Sequence, residues 1–472
     1  MPSQYPPAPA RMARRSRDSR RRSQEYTIEP KNGASPRQSS NAQRGMHLPR
    51  YNHNGHEVTK GIQPEGESGR RGFHPLKFLW ICFRSSNKVS CAVNILWPIV
   101  PVAIALHFAQ PKWHLAIFVT NYLAMIPAAN LVGFAGQEFS RKLPKVIGVI
   151  VEITFGSIVE IVLFMVLLKT GREGNVPVIR AAILGSLLAN MLLCLGACFF
   201  VGGLKRDEQE FHSAISEAGS GLMLVAGMGL VLPAVYANAL QGRTDLATTE
   251  LAKIPSEVLK ISRATAIILL FAYMVYVFFQ AKTHDGLYDD IYTADEHKDA
   301  DRHKDLKKDK LTLTECIIAL VFSLAVVSMI AVFLVLQIPY LVEERHISDA
   351  FVGLILVPLV EKAAEHLTAI DEAYDNQMNF ALAHVLGASI QTALLNTPLV
   401  VIVGWCLGIG MDLKFEVFDS VALILAILVV GSFLRDGKSN YLEGMLCMLV
   451  YIIIAISAYF YPNPPGHGGG EH

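Results

Sequence analysis

Charged residues are scarce in this chain of 472 residues. They make up 18% of it, whereas soluble proteins average about 25%. Hydrophobic residues make up 52%, and the mean hydropathy is +0.35. Most apolar residues after residue 75 fall in runs of about 20, each long enough for a helix to cross the ~30 Å core of a bilayer. The composition therefore excludes an ordinary soluble protein and predicts an all-α polytopic membrane protein.

The polar segments away from the apolar runs lack cysteine. All seven lie in or beside such runs, and none has metal-ligand spacing with a histidine. This placement excludes an extramembrane disulfide framework. We therefore expect the cysteines to act as small packing residues. They are Cys82, Cys91, Cys194, Cys198, Cys316, Cys406 and Cys447.

Sequence motifs of several enzyme classes are missing. No G-x-x-x-x-G-K-[ST] loop is available to hold a nucleotide phosphate, so transport driven by ATP is not expected. No H-E-x-x-H or G-x-S-x-G pattern lies in the apolar runs, which argues against an intramembrane hydrolase. Residues 1–30 are polar and rich in arginine without an apolar core, so no cleavable signal is expected. We predict that the protein is not an enzyme and uses no cofactor.

The apolar runs predict eleven transmembrane helices, namely one leader helix and two sets of five. The runs lie at about 88–109, 113–134, 145–169, 178–201, 213–236, 258–281, 312–338, 347–372, 379–406, 416–434 and 440–461. Because five is odd, two related five-helix units in one chain must have opposite orientations, as in many secondary transporters. GSIVE at 156–160 matches EKAAE at 361–365, and GSLLAN at 185–190 matches GASIQ at 387–391. The sequence therefore predicts two inverted repeats.

The predicted domain boundaries follow the composition. Residues 1–75 are expected to form a disordered basic tail on the cytosolic side. Residues 78–282 contain the leader helix and the first repeat, and 311–461 contain the second repeat. Between them, 283–310 form a charged linker whose acids lack EF-hand spacing, so a solvated linker is favoured over a calcium-binding regulator. Residues 462–472 are a short tail.

Two glutamates inside the apolar runs are the strongest functional signal. Glu160 and Glu365 occupy matched places in the two repeats, and a carboxylate at bilayer depth costs about 2.5–3.5 kcal/mol. Glu152 lies two helical turns before Glu160, and Glu361 lies one turn before Glu365. A chain that carries such charges in matched positions is expected to use them to hold a cation.

Neighbouring polar residues complete a candidate calcium site. Calcium takes 6–8 oxygen ligands from carboxylates, carbonyls, amides and water. Oxygen atoms of Ser157, Asn190, Ser389 and Gln391 suit this role, although hydrogen bonds between helices are an equally good explanation for Asn190, Ser389 and Gln391. The same carboxylates would bind protons when the metal leaves, which is the basis of cation/proton antiport.

The chain resembles the vacuolar-type calcium/proton exchangers of the cation/calcium antiporter superfamily over residues 78–461. The resemblance is carried by NYLAMIPAANLVGFAGQEFS, ITFGSIVEIVLF, GLILVPLVEKAAEHLTAI, GASIQTALLNTPLVVIVGW and DGKSNYLEGMLCMLVY. It implies an eleven-helix fold with inverted halves, and an exchange of cytosolic calcium for vacuolar protons. It also implies that Glu160 and Glu365 are the two central cation-binding glutamates. His366 matches the family as well, and either a proton relay or a hydrogen bond between helices would explain it.

The chain departs from the family pattern beside both central glutamates. The family has a Gly-Asn pair four residues before each of them, whereas this chain has Gly156-Ser157 and Glu361-Lys362. Glu152 also stands where the family usually has Asn. His384 is flanked by apolar residues and is expected to be structural.

Lys362 raises the sharpest question, because an unpaired ammonium in a dry site is very costly. Our first hypothesis is that it pairs with Glu152 or Glu361 and leaves Glu160 and Glu365 for the ion. A second is that its ammonium takes the place of a bound cation. A third is that it faces a water-filled vestibule.

The sequence thus favours a secondary-active divalent cation/proton antiporter in the vacuolar or another internal membrane. Calcium and protons are its expected substrates, and alternating access would occur around a site at the bilayer midplane. No nucleic-acid partner is expected. The alternative is a transport-altered or transport-inactive regulatory membrane protein that keeps the exchanger fold, and the Glu361-Lys362 pair is its motivation.

Overall fold

The computed structural model describes residues 51–52, 54–171, 175–243, 248–299, 302–345 and 347–462. These residues form an almost entirely helical protein. The helices of the first half are α1 (Pro75–Arg84), α2 (Lys88–Ala109), α3 (His114–Ser140), α4 (Lys145–Gly171), α5 (Val176–Gly203), α6 (Ser213–Gln241) and α7 (Thr248–Thr283). The linker contains α8 (Asp285–Lys298) and α9 (Arg302–Lys307). The helices of the second half are α10 (Leu313–Val342), α11 (349–361), α12 (Ala363–Tyr374), α13 (Met378–Cys406), α14 (Val417–Phe433) and α15 (Tyr441–Tyr459).

Nine of the helices formed by the described residues are long and apolar enough to cross a membrane: α2 to α7, α10, α13 and α15. The predicted run at 416–434 is the shorter apolar helix α14, and the run at 347–372 is divided into α11 and α12. The all-helical membrane fold is therefore confirmed, while the count of eleven crossings and the cytosolic N-terminus stay predictions.

α5 and α13 lie at the centre of the bundle. In each of these two helices 83% of the most apolar 18-residue stretch is buried, a larger share than in any of the other seven spans. Both helices change from α-helical to π-helical geometry at a similar place, α5 at Ala189–Cys194 and α13 at Thr392–Asn396. π-helical turns are rare and occur frequently at functional sites. Their matched positions agree with the predicted similarity between the two halves.

The second half contains a helix break that the first half lacks. α4 runs without interruption from Lys145 to Gly171. In the second half α11 ends at Glu361, and α12 begins at Ala363. Lys362 between them has a φ of −91° and a ψ of −4°, which places it in the sparsely populated bridge region of backbone angles. The two halves therefore present their carboxylates from different kinds of helix.

Close contacts between helices depend on glycine at two positions. A Cβ atom on Gly156 of α4 would collide with the Glu365 carboxylate of α12. A Cβ atom on Gly185 of α5 would collide with the Leu354 carbonyl of α11. A larger residue at 185 would have to move backbone, whereas one at 156 would displace the Glu365 carboxylate from its observed position. α4 and α5 therefore lie directly against the broken helix pair.

Part of the predicted disordered tail is ordered. Arg70 contacts the buried carboxylate of Glu315 at 3.3 Å and donates a hydrogen bond of 2.8 Å to the Lys310 carbonyl. Lys142, which is also buried, donates hydrogen bonds of 2.7 Å to the carbonyls of Gly66 and Leu311. The prediction that disorder extends to residue 75 is therefore wrong for this segment. Ion pairs and hydrogen bonds to the backbone hold the segment, rather than the burial of apolar side chains. Residues 1–50 and 463–472 lie outside the described residues.

The linker is more ordered than a solvated linker. The buried residues of α8 are Tyr288, Ile291, Tyr292 and Asp295. The Asp295 carboxylate accepts hydrogen bonds from the backbone nitrogen of Asn379 at 2.6 Å and from its side chain at 2.9 Å. These bonds satisfy free N–H groups at the start of α13. The linker is thus attached to the first turn of a central helix.

A second contact attaches α8 to the start of α4. Lys145 contacts Glu296 at 2.8 Å. Burial raises the pKa of the Glu296 carboxyl, because the loss of solvent outweighs the favourable charges of Lys145 and Arg302. The starts of α4 and α13 therefore lie at the linker side of the bundle.

Replacing Asp295 by Ala should lower the stability of the fold. The change leaves the buried Asn379 groups without their acceptor, which costs about 1–3 kcal/mol. Thermal unfolding of the detergent-solubilised protein should show a lower midpoint. The matched control is Asp290→Ala on the exposed face of the same helix, and equal midpoints for the two variants would contradict the role of Asp295.

Candidate functional site

Glu160 and Glu365 face each other across the ammonium group of Lys362. The Lys362 Nζ atom lies 3.0 Å from Glu160 Oε2 and 3.2 Å from Glu365 Oε2. The side chains of Lys362 and Glu160 are each 1% exposed, and that of Glu365 is 18% exposed. The site predicted from matched glutamates is therefore a cluster of two carboxylates and one cation from the same chain.

The first and third hypotheses for Lys362 are wrong. Its ion-pair partners are the two central glutamates rather than Glu152 or Glu361, and its side chain does not reach a water-filled vestibule because it is 1% exposed. The helix break explains the pairing. Lys362 precedes Glu365 by three residues, so both lie on the same face of the chain at the start of α12, and Gly156 lets Glu160's helix approach that face.

Two residues of α13 hold Glu160 from the other side. Thr392 donates a hydrogen bond of 2.8 Å to Glu160 Oε2, and Asn396 donates one of 2.9 Å to the same atom. Both lie in the π-helical segment, and both are fully buried. Sequence reasoning missed them. The signal that could have found them is that Thr392 directly follows Gln391 and that Asn396 lies one helical turn after Thr392, both within an apolar run.

The predicted neutral ligands have different outcomes. Ser157 and Gln391 are buried, and the hydroxyl of Ser157 and the side-chain nitrogen of Gln391 find no hydrogen-bond partner among the described residues. Ser389 donates to the Val385 carbonyl of its own helix at 2.8 Å. Asn190 Oδ1 lies 3.0 Å from His366 Nε2, a hydrogen bond between α5 and α12. Their roles in holding an ion stay predictions.

Several oxygen atoms around the central pair have spare lone pairs. Within the described residues, no hydrogen-bond partner is present for Glu160 Oε1, Asn396 Oδ1 or either carboxylate oxygen of Glu361. Glu361 is 3% exposed. Buried polar atoms are rarely left in this state without a reason. An oxygen-rich site with uncommitted lone pairs suits a hard cation.

A cavity of about 610 Å³, including the space at its open side, reaches this region. Its lining combines apolar residues of α3, α4 and α13 with ionisable side chains. The ionisable side chains are Glu152, Glu361, Glu365, His366 and His384. Within the described part of the chain, no group of three or more His, Cys, Asp or Glu side chains has the arrangement of a preformed metal centre. The cavity therefore reaches Glu365, one of the two carboxylates that Lys362 contacts.

Glu152 belongs to a separate cluster. Its Oε2 atom accepts a hydrogen bond of 2.9 Å from Ser140, and its Oε1 atom lies 3.7 Å from His384 Nε2. His384 Nδ1 in turn lies 2.7 Å from Glu372 Oε2. His384 was expected to be structural, and Glu372 was not considered. His384 therefore lies between two carboxylates, and both His384 and Glu152 line the cavity, so packing alone does not explain this cluster.

Ionic pairing of Lys362 with the central glutamates can be tested by a double-mutant cycle. Replacing Lys362 by Met leaves buried carboxylates unpaired, so we expect a loss of about 3–5 kcal/mol of stability. Adding Glu160→Gln should recover part of this loss, giving a coupling energy of at least about 1 kcal/mol. Chemical denaturation in detergent measures all four proteins.

The control cycle combines Lys362→Met with Glu152→Gln. Because Glu152 pairs elsewhere, these two changes should be additive within about 0.5 kcal/mol. Coupling to Glu152 together with additivity for Glu160 would reverse the assignment.

Comparison with known protein sequences shows which family the chain resembles. Residues 113–282 and 316–460 match the family described as sodium/calcium exchanger protein. The chain is 33% identical to the vacuolar cation/proton exchanger 5 of Arabidopsis thaliana over 80% of this chain and 82% of that protein. It is 31% identical to the vacuolar calcium ion transporter of Schizosaccharomyces pombe over 80% of this chain and 87% of that protein.

A solved structure has a similar fold. The fold is similar to that of native YfkE, with a TM-score of 0.62 and 27% sequence identity over 78% of this chain and 100% of that chain. The resemblance drawn from the sequence motifs is thereby confirmed. The chain belongs to the sodium/calcium exchanger protein family.

Proposed function

We propose that this protein is a secondary-active antiporter that exchanges calcium, or another divalent cation, for protons. The observation that carries the proposal is the pair of central carboxylates on opposing helices, with Glu160 buried and Glu365 partly exposed in the lining of an open cavity. The names of the Arabidopsis and Schizosaccharomyces relatives describe cation/proton exchange and calcium transport in the vacuole. They support a vacuolar or other internal membrane as the location.

The cation would bind through oxygen atoms that the structure leaves uncommitted. Glu160 and Glu365 supply the charge, and Ser157 and Asn396 supply neutral oxygens from α4 and α13. Asn190, Ser389 and Gln391 are further candidates that lie on the same two central helices, α5 and α13. When the cation leaves, protons neutralise the carboxylates, so either a cation or protons occupy the site. This mutual exclusion is the physical basis of antiport.

Lys362 adds a condition to this mechanism. Its ammonium contacts both central carboxylates, so a metal ion has to displace it before it can bind between them. Glu160 and Glu365 contact the ammonium, and the buried carboxylate of Glu361 lines the cavity beside Glu365. If all three carboxylates and the ammonium are ionised, the formal charge of the group is −2. The site therefore keeps a net attraction for a divalent cation even with the lysine in place.

A second candidate function follows from the same lysine. If the ammonium never leaves, the protein is a transport-inactive membrane protein that retains the exchanger fold. The contacts of 3.0 and 3.2 Å and the burial of Lys362 favour this alternative. It differs from the antiporter in one measurable property, which is cation movement driven by a proton gradient.

Calcium uptake into proteoliposomes with an acidic lumen tests the antiporter directly. We expect uptake by the wild-type protein and its loss in Glu160→Gln and Glu365→Gln, because each variant removes a charge that the cation needs. Glu217→Gln, an exposed carboxylate on α6, is the matched control and should transport normally. Well-folded protein that moves neither calcium nor manganese nor monovalent ions would rule out antiport.

Replacing Lys362 by Asn tests whether the ammonium competes with the metal. A charge at about 4 Å is worth about 4 kcal/mol at an effective dielectric constant of about 20, and a third of that equals a tenfold change in affinity. We therefore expect the KM for calcium to fall about tenfold or more. If only the variant transports calcium, the wild-type protein is the inactive form. An unchanged KM would show that the ammonium does not compete.

A further inference from the structure

Three ionisable residues form a second cluster away from the central pair, and two of them, Glu152 and His384, line the same cavity. Glu152 lies on α4, Glu372 near the end of α12, and His384 in the second turn of α13. Their side chains are 10–15% exposed. The antiport mechanism proposed above needs none of them as a ligand, so their arrangement requires a separate explanation.

The cluster lies on the linker side of the central glutamates. Glu152 precedes Glu160 by eight residues, which is about 12 Å along a helix at 1.5 Å per residue. Glu372 follows Glu365 by seven residues, or about 10 Å in the opposite sense along α12. The nearby starts of α4 and α13 both contact α8 through Lys145 and Asn379. An ion that enters the cavity from the linker side therefore meets this cluster before it meets Glu160.

The histidine ring has one nitrogen committed and one available. Nδ1 lies 2.7 Å from Glu372 Oε2 and donates its hydrogen to that carboxylate. In the neutral ring this fixes the tautomer and leaves a lone pair on Nε2. Nε2 is buried and has no hydrogen-bond partner among the described residues, and the residue lines the cavity. A histidine whose other nitrogen is bonded to a carboxylate is the usual arrangement of a metal-ligating histidine.

The carboxylate opposite is held in the same way. Ser140 donates to Glu152 Oε2 at 2.9 Å, and Oε1 is directed at His384 Nε2 across 3.7 Å. Two ligand atoms bonded to one ion at about 2.1 Å lie between about 2.9 and 4.2 Å apart, so the gap fits a shared metal ion. Each candidate ligand atom thus has a neighbour that orients it.

The ligand types select a class of metal. Calcium prefers oxygen ligands, whereas imidazole nitrogen suits zinc and similar first-row transition metals. With two protein ligands, water in the cavity would complete the coordination, and weak binding of this sort suits an ion in transit. We propose that Glu152 and His384 form a second cation site, selective for zinc-like divalent cations over calcium and positioned by Glu372 and Ser140. Its placement on a transport route rests on the proposed function, but binding itself does not.

Equilibrium dialysis of the full chain in lipid nanodiscs, with radioactive Zn²⁺ and Ca²⁺ measured separately, tests the site. In His384→Leu we expect the Zn²⁺ affinity to fall at least tenfold and the Ca²⁺ affinity to stay within twofold of wild type. Glu372→Gln, which keeps the ring but weakens its orientation, should lower Zn²⁺ affinity about 10–100-fold. His107→Leu is the matched control, because His107 stacks on Phe333 at 3.8 Å, and it should bind both metals normally.

Two results would overturn the proposal. One is a Zn²⁺ affinity within twofold of wild type in both His384→Leu and Glu372→Gln. The other is a parallel loss of Zn²⁺ and Ca²⁺ binding, which would make His384 a structural residue. Failure of the antiport proposal is separate, because it would appear as absent calcium uptake with Zn²⁺ binding intact.

Discussion

The structure depends on a buried ammonium placed between a buried carboxylate, Glu160, and a partly buried one, Glu365. Each charge alone would cost several kcal/mol at bilayer depth, so the three groups are tolerable only together. Lys362 reaches Glu160 and Glu365 because the helix breaks at that residue and because Gly156 lets α4 approach α12. The helix break and the close packing of the central helices are therefore what brings the three charges together.

The surroundings of the two central glutamates are not symmetric, although Glu160 and Glu365 occupy matched positions in the two halves. The cation that contacts both of them, Lys362, comes from the second half. Glu160 receives hydrogen bonds from Thr392 and Asn396, whereas Glu365 is partly exposed to the cavity. The carboxylate that an entering ion reaches first is thus the less constrained one. An asymmetric site can release one ligand while it retains the other, which a transport cycle requires.

Sequence alone predicted the features that depend on composition and on the free-energy cost of placing charges in a membrane. Apolar runs predicted the helices, and the energetic cost of carboxylates in the membrane singled out Glu160 and Glu365 as candidate cation ligands, a role that stays a prediction. The partner of Lys362 could not be predicted, because it depends on a break in the helix and on the distance between α4 and α12. Thr392 and Asn396 were missed because their hydrogen bonds to Glu160 depend on how α13 packs against α4, which the sequence pattern does not show. The order of residues 54–74 was missed because charge pairs, not apolar residues, hold that segment.

In both clusters, one at the central glutamates and one at Glu152 and His384, neighbouring polar groups orient the candidate ligand atoms, but the two clusters offer different kinds of atom to an ion. At the centre, carboxylates are held by an ammonium and by hydroxyl and amide donors, so only oxygen atoms are offered to an ion. Nearer the linker, Glu372 orients an imidazole, so nitrogen is offered together with the Glu152 carboxylate. An ion that prefers nitrogen would be retained at the second cluster, while a hard ion would pass it with little interaction. Discrimination between cations can therefore arise before the central site is reached, through the order in which ligands of different softness meet the ion.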